Sequence, residues 1–342
     1  MDAVFADPLD LALLNDWQHG FPLQPQPFAA IGARLGVPAA EVLARYRVLQ
    51  AQGVVSRIGG AFGAGAGGAA LLCAFAVPPA RLDEVAAIVS AQPGVNHNYE
   101  REHAYNLWFV ITGAEPAAVH AAVDALDAAC GLRALRLPML RPYRIDLGFD
   151  LRGTIAARGP VGRAAAEPVQ AADRPLAACV ELGLPLVEHP YAVWAQGSSR
   201  SEADVLGTLQ RWLAQGTLRR FGVVVRHHET GFAHNAMTVF DVPDERVDAC
   251  GERLAVQPGV TLAYRRGRDN GWRYNLYCMV HGRDRAAVAA AVDAAIDGAG
   301  LGAWPRARLF SRRRFKQCGA RYFGAAAQPA DTRCAGAEGV TA

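Results

Sequence analysis

At 342 residues the chain has room for about two to three domains of roughly 150 residues each, and its 51% hydrophobic and 20% charged content is that of an ordinary globular protein. A net charge of +3 is weak for a protein that lives on nucleic-acid phosphates, and no apolar run is long enough to cross a bilayer. The start Met-Asp-Ala-Val-Phe-Ala-Asp-Pro lacks the basic-then-apolar pattern of an export signal, so a cytoplasmic location is expected.

Residues 1–62 hold a helix-turn-helix pattern. A short helix over 28–35 is followed by the turn Gly36-Val37-Pro38 and a second helix over 39–52, with Val42, Tyr46 and Leu49 on one face and Gly53 as its stop. Residues 63–152 then run strand, helix, strand, strand, helix, strand: a strand near 69–77, a helix over 80–91, strands from Val95 and Tyr105, a helix around 116–129 and a strand from Arg133. That order is a ferredoxin-like sandwich, four antiparallel strands backed by two helices. Residues 153–174 lack a sustained apolar period and read as a flexible tether. A second helix-turn-helix follows over 175–225, where Ser199 and Glu202 have capping-box spacing before Val205, Leu206, Leu209 and Trp212. A second sandwich occupies 226–325, and the Ala-, Gly- and Pro-rich segment 326–342 is expected to be disordered.

The chain is therefore a tandem repeat of α+β modules, each a (winged) helix-turn-helix plus a ferredoxin-like sandwich, expected to pair as an intramolecular pseudo-dimer. The repeat is explicit in the run from Pro93 to Val110, which returns as Pro258-Gly259-Val260 through Tyr264, Arg266 and Tyr274-Asn275-Leu276. Packing demands are alike in both copies, so positions where the copies differ are where chemistry is divided between them.

In the strand from Val95 to Arg101, period-2 alternation puts His97, Tyr99 and Arg101 on one face and Asn96, Asn98 and Glu100 on the other. Three polar or ionisable groups on one strand face are costly in an apolar core and imply a wet cavity or a polar ligand. His103, at the start of the hairpin strand, is placed to converge on them. The second copy keeps Tyr264 and Arg266 but has Leu262 where the first has His97. The reverse asymmetry follows each helix-turn-helix, where Arg226, His227, His228 and His234 align with the tract Gly63-Ala64-Gly65-Ala66-Gly67. Complementary loss suggests one composite pocket.

Seven cysteines without a Cys-x-x-Cys pair argue against a zinc site, a cluster or a disulfide scaffold, and the histidine spacing is not that of tetrahedral zinc. His19, His120, His189 and His281 read as structural or surface residues. No P-loop, no Rossmann glycine motif and no nucleophile elbow is present. Nearly all basic residues are arginine, Lys316 being the one lysine; a GC-rich genome accounts for this, and arginine forks also grip carboxylates.

A helix-turn-helix followed by this sandwich looks like the Lrp/AsnC regulator architecture. Three strings are more specific: His-Asn-Tyr-Glu-Arg-Glu-His-Ala-Tyr-Asn-Leu-Trp-Phe-Val (97–110), Arg-Arg-Phe-Gly-Val-Val-Val-Arg-His-His (219–228) and Tyr-Asn-Leu-Tyr-Cys-Met-Val-His-Gly (274–282) resemble the siroheme decarboxylases, including the fused NirD-NirL form. The resemblance implies loss of carbon dioxide from two acetate side chains of siroheme, giving didecarboxysiroheme on the route to haem d1 or alternative haem, with no cofactor beyond the iron tetrapyrrole substrate. It also implies His97, His103 and His227 as catalytic groups, with His227 able to contact the substrate iron. Tyr99, Arg101, Arg226, His228, Tyr264, Arg265 and Arg266 become substrate-binding groups facing a many-carboxylate macrocycle. One competent site rather than two equal ones is expected, with homo-oligomers and other haem d1 biosynthesis proteins as further partners. Two rival readings remain at this level: an Lrp/AsnC-type DNA-binding regulator and a non-catalytic tetrapyrrole carrier. Against the first, the recognition-helix positions carry Glu41, Arg45 and Arg47 in one copy and Glu202, Asp204 and Arg211 in the other, which is poor phosphate-contacting material.

Overall fold

The computed structural model describes residues 7–145, 151–152, 166–226, 234–269 and 271–324. They form two compact units that cut across the repeat, one gathering the helix-turn-helix segments of both copies and the other both sandwich segments.

The first unit begins with a helix the sequence pattern did not reveal, α1 (Pro8–Asn15), capped by Asp7, whose side chain accepts from the Leu9 N–H. The helix-turn-helix pairs are α2 (Pro27–Leu35) with α3 (Ala39–Ala51), and α7 (Pro190–Gly197) with α8 (Glu202–Gln215). The α2–α3 turn is tight because Gly32 carries no side chain: a Cβ there would stand 2.4 Å from the Val37 carbonyl oxygen. The cap of α8 is Ser201 rather than Ser199, since Ser201 accepts from the Asp204 N–H while Ser199 sits in the preceding turn at φ 55°. Local spacing was right in kind and off by two residues, because two serines compete for one role.

Each pair is followed by a wing strand, β1 (Val55–Phe62) and β6 (Leu218–Val225), and the two wings pair antiparallel with Gly59 opposite Gly222. The chain after α1 lies directly on β6, where Val223 donates to the Trp17 carbonyl and a Cβ on Gly222 would stand 2.4 Å from the carbonyl oxygens of Trp17 and Gln18. The glycine tract after β1 is packed. Ala166 donates to the Ala64 carbonyl and Val169 to that of Ala66, while a Cβ on Gly63 would meet Ala166 at 2.7 Å. Residues 166–169, expected as part of the tether, are thus held against the tract. A further helix, α6 (Arg174–Leu182), packs on β1 so closely that a Cβ on Gly59 would stand 2.9 Å from the Val180 carbonyl oxygen.

The second unit holds β2 (Ala69–Phe75), α4 (Leu82–Ala91), β3 (Val95–Arg101), β4 (Leu107–Gly113), α5 (Pro116–Cys130) and β5 (Leu135–Ile145) from the first copy. The second copy supplies β7 (His234–Phe240), α9 (Val247–Ala255), β8 (Val260–Arg266), β9 (Leu276–Gly282), α10 (Arg285–Ala299) and β10 (Arg306–Gln317). The element order matches the expected sandwiches, but the two sheets do not end separately. They close into one barrel in the order β10-β3-β4-β2-β5-β8-β9-β7. The long strands do the closing: β5 pairs with β2 through its first residues and with β8 of the other copy through its last, and β10 bridges β7 and β3 in the same way. Closure removes the four sheet edges that separate sandwiches would expose.

Alternation along each strand then sorts side chains into three cores. Leu71, Cys73, Phe75, Val95, Phe109 and Ile111 pack under α4 and α5, and the equivalent residues of the second copy pack under α9 and α10. The opposite faces meet inside the barrel, where Leu72, Trp108, Leu135, Leu137, Met237, Val239, Tyr264, Trp272, Tyr277, Met279 and Leu309 form a shared core. No single described helix is long and apolar enough to cross a membrane.

Because the carbonyls of Trp17 and Gln18 leave no room at Gly222, Gly222→Ala is expected to destabilise the fold by about 1–3 kcal/mol, seen as a lower thermal midpoint by circular dichroism. Gly207→Ala, where an added Cβ meets nothing within 4 Å, is the matched control and is expected to leave the midpoint unchanged or raise it.

Candidate active site

The strand face singled out in the sequence exists. His97, Tyr99 and Arg101 of β3 pair across from Val110, Trp108 and their neighbours, so all three side chains lie on the barrel-interior face. His97 and Tyr99 stack with ring centroids 6.2 Å apart, and the Arg101 guanidinium lies 5.7 Å from the Tyr99 ring centroid. Asn96 joins them against expectation. A bulge between Val95 and His97 breaks the alternation, and His97 Nδ1 lies 2.6 Å from Asn96 Oδ1 while Asn96 Nδ2 donates to Thr112 Oγ1 at 3.2 Å. With the carboxamide oxygen accepting, Nδ1 carries the proton and Nε2 is left as the nitrogen that can exchange one with a substrate. Burial holds the His97 pKa down to about 4, with the nearby Arg101 charge acting in the same direction. Burial likewise pushes Tyr99 up to about 12 and draws Arg101 down to about 10.

The neighbouring strand completes the cluster with residues from the other copy. β10 places Arg314 opposite Tyr99 and Gln317 opposite His97, and Arg314 Nη1 donates to Gln317 Oε1 at 3.2 Å. Neither residue was expected, because no periodicity shows which copy's strand will lie beside β3. The symmetric end of the barrel pairs β5 with β8, and there Pro142 faces Tyr264 and Ile145 faces Leu262. The same bulge recurs between Val260 and Leu262, which confirms Leu262 as the counterpart of His97. That end keeps an imidazole on a different strand: His281 of β9, set aside in the sequence reading, has Nδ1 2.9 Å from Thr261 Oγ1. His281 and Thr261 occupy the places of Thr112 and Asn96.

The arginines of the shared face are partly committed to the barrel. Arg101 Nη1 donates to Asn235 Oδ1 at 3.1 Å and to the Leu309 carbonyl at 3.0 Å, and Arg266 Nη1 donates to the Leu137 carbonyl at 2.7 Å. Each reaches a strand of the other copy. Arg266 also lies 4.5 Å from the Tyr264 ring centroid, and its Nε has no hydrogen-bond partner among the described residues. Arg265 belongs to the opposite, helix-covered face, where it pairs with Asp244 and Asp248 at 3.3 and 3.6 Å. It is therefore removed from the group facing the interior, as alternation along β8 requires.

His103 does not converge on His97. The intervening strand from residue 97 to 101 alone spans about 13 Å, and His103 instead accepts from the Tyr105 N–H and packs edge-on to Trp272, 5.2 Å between centroids. Burial lowers its pKa. It sits in an aromatic cluster with Tyr105, Trp108, Trp272 and Tyr274. Arg226 belongs to the helix-turn-helix unit, where its N–H bonds to the Val54 carbonyl. His227 and His228 lie outside the described residues. Among those described, no cluster of histidine, cysteine and carboxylate groups has the makings of a metal site.

A barrel of two AsnC-type sandwiches with an ionisable interior, accompanied by paired helix-turn-helices, defines an Lrp/AsnC-like ligand-binding protein. The family models agree: an AsnC-like ligand-binding domain matches residues 66–144 and 229–316, and a siroheme decarboxylase NirDL-like helix-turn-helix domain matches 10–55 and 173–219. The chain is 42% identical over 315 residues to the siroheme decarboxylase NirDL subunit of Paracoccus denitrificans (strain Pd 1222), covering 92% of this chain and 97% of that one. It also matches a crystal structure of the siroheme decarboxylase NirDL, with TM-score 0.66 and 27% identity over 93% of this chain and 95% of the other. The same enzyme in co-complex with an iron-uroporphyrin III analogue matches with TM-score 0.65 and 28% identity, over 90% and 92%. The chain belongs to the siroheme decarboxylase family.

The low His97 pKa makes a prediction about acid stability. Between about pH 4 and 6.5 the unfolded imidazole takes a proton that the folded one refuses, so this group's contribution falls as the pH falls through that window. Urea midpoints measured across it are expected to drop less steeply for His97→Asn than for the parent chain. Equal slopes would mean that His97 titrates normally in the fold.

Proposed function

We propose that the chain is a siroheme decarboxylase that removes carbon dioxide from two acetate side chains of siroheme to give didecarboxysiroheme, the intermediate that leads to haem d1 or alternative haem. The observation that carries this reading is the placement of an imidazole, a phenol and two guanidinium groups on the interior face of a ligand-binding barrel. Such groups would suit a polyanionic ligand, whose carboxylates guanidinium forks bind bidentately.

Breaking the bond between the acetate methylene and its carboxylate releases carbon dioxide and leaves the electron pair on the methylene carbon. The conjugated macrocycle accepts that density, and a proton delivered to the same carbon completes a methyl group. His97 is the proton donor in this reading. Its imidazole is neutral in the unliganded fold because burial and Arg101 disfavour the cation, and a substrate carboxylate beside it would raise its pKa and charge it. Asn96 holds the ring in one tautomer, and Tyr99 fixes its plane by stacking. Tyr264 and Arg266 line the other side of the interior, and His281 offers a second imidazole at the symmetric end. His103 is reassigned from proton donor to the aromatic cluster; His227 stays a candidate for a second acid or an iron contact and His228 for substrate binding, both outside the described residues. No cofactor beyond the substrate's own iron tetrapyrrole enters the scheme.

The regulator reading is disfavoured by the recognition helices. Arg45 pairs with Asp7, Asp10 and Glu41, Arg47 donates to the Leu186 carbonyl, and Arg211 pairs with Asp173, so these cations are engaged within the protein. A carrier without catalysis would bind the same pigment and return it unchanged.

Anaerobic incubation with siroheme followed by mass measurement of the pigment decides between enzyme and carrier, the enzyme giving loss of two carboxyl groups as carbon dioxide. His97→Ala is expected to slow the chemical step by about 10² to 10⁴ while leaving pigment binding within a few-fold. Since the donor must be protonated, kcat is expected to fall as pH rises through the pKa of the complex, and this limb should vanish from the residual activity of His97→Ala.

A further inference from the structure

The two barrel-closing strands are related by the repeat, and comparing them position by position separates packing from chemistry. Met139 pairs with Arg266 and Ser311 with Arg101, which sets residue 139 of β5 equivalent to residue 311 of β10. On the helix-covered side the equivalents are alike. Arg141 and Arg313 both pair with a helix aspartate, Asp248 and Asp83 respectively. Tyr143 and Phe315 both pack into the cores under the helices. Arg144 and Lys316 both donate to helix carbonyls, those of Ala255 and Ser90.

On the interior side the equivalents are unlike. Pro142 corresponds to Arg314, Ile145 to Gln317, and on the partner strand Leu262 corresponds to His97. All three differences run the same way, polar and charged at one end of the barrel and apolar at the other. A cation and its hydrogen-bonding amide have been placed beside the imidazole at the end that holds it, where packing would be served equally well by the proline and isoleucine of the sister copy.

We propose that Arg314, oriented by Gln317, is the substrate-binding cation that holds an acetate carboxylate next to His97, so that this site is built from β3 of the first copy and β10 of the second. The inference rests on the siroheme reading for the identity of the carboxylate. Its geometry is independent of that reading, because the cluster recognises a carboxylate-bearing macrocycle whether or not turnover follows. Arg101 and Arg266 hold the barrel together through main-chain carbonyls, while Arg314 stands opposite Tyr99 and donates to Gln317, which stands opposite His97. The positive charge of Arg314 acts on Tyr99 as well, drawing its pKa downward against burial. A single copy of the repeat lacks β10 opposite β3 and is incomplete as a site, which gives a physical reason for both copies to be present.

The test uses the full chain and iron-uroporphyrin III as probe, followed by visible absorbance. Arg314→Gln is expected to weaken binding about tenfold or more, as loss of a charge-assisted hydrogen bond does. Arg314→Lys should recover part of it, and Arg312→Gln, which removes an exposed charge two positions away, should bind like the parent. With siroheme, Arg314→Gln should raise KM more than it lowers kcat, the opposite of His97→Ala. Circular dichroism melts verify that each variant is folded; should Arg314→Gln fail to fold, Gln317→Ala gives the second measurement, with a several-fold loss of affinity expected. Parental affinity in folded Arg314→Gln overturns the proposal, as does an equal loss in Arg312→Gln. A parent chain that binds the probe but leaves siroheme intact would sink the decarboxylase reading while the titration still decides the role of Arg314.

Discussion

The structure depends on the exchange of backbone hydrogen bonds by β5 and β10. Each begins in its own sheet and ends in the other copy's, so eight strands close without an edge and both interior faces are withdrawn from solvent together. Closure commits main-chain donors and acceptors that would otherwise need water, and it is reinforced by the two arginines that reach across to carbonyls of the other copy's long strand. Tyr99, Arg101 and Arg266 are consequently held buried inside the barrel, with His97 and Arg314 partly buried beside them. That setting gives His97 its depressed pKa and Tyr99 its raised one.

Such an interior is expensive to keep polar. Arg101, Arg266, Asn96 and Asn235 are all buried, and each makes a hydrogen bond, to main chain or to a neighbouring side chain, in the way buried polar groups require. The exposed ion pairs on the helix-covered side, such as Arg285 with Glu102, contribute little by comparison and are screened by salt. A site is thus made by retaining charge where the barrel is least able to hydrate it, and the repeat shows that the fold itself does not demand this, since the sister end fills the equivalent positions with proline, isoleucine and leucine.

Divergence of the copies is easiest to understand as a consequence of which side of a strand each residue occupies. Side chains under the helices answer to packing in both copies and have stayed similar. Those in the interior answer to packing at one end and to a ligand at the other. His281 shows that the division is not simply one of loss, because an imidazole reappears on β9 beside Thr261, on the strand next to the one that holds His97 in the first copy's pattern of β3 and β4.

The sequence by itself determined the repeat, the order of helices and strands in each copy, and the interior face that carries His97, Tyr99 and Arg101, because those features follow from local periodicity and from one strand's alternation. It did not determine that Asn96 would turn to His97, since a bulge suspends the alternation. Nor did it show that Arg265 would face α9, that His103 would join an aromatic cluster with Trp272, or that Ser201 rather than Ser199 would cap α8. The tertiary structure alone decided the neighbours of β3. Strand pairing between residues more than two hundred positions apart is set by closure of the whole barrel, and no short-range pattern in either copy records which strand arrives to place Arg314 and Gln317 beside the histidine.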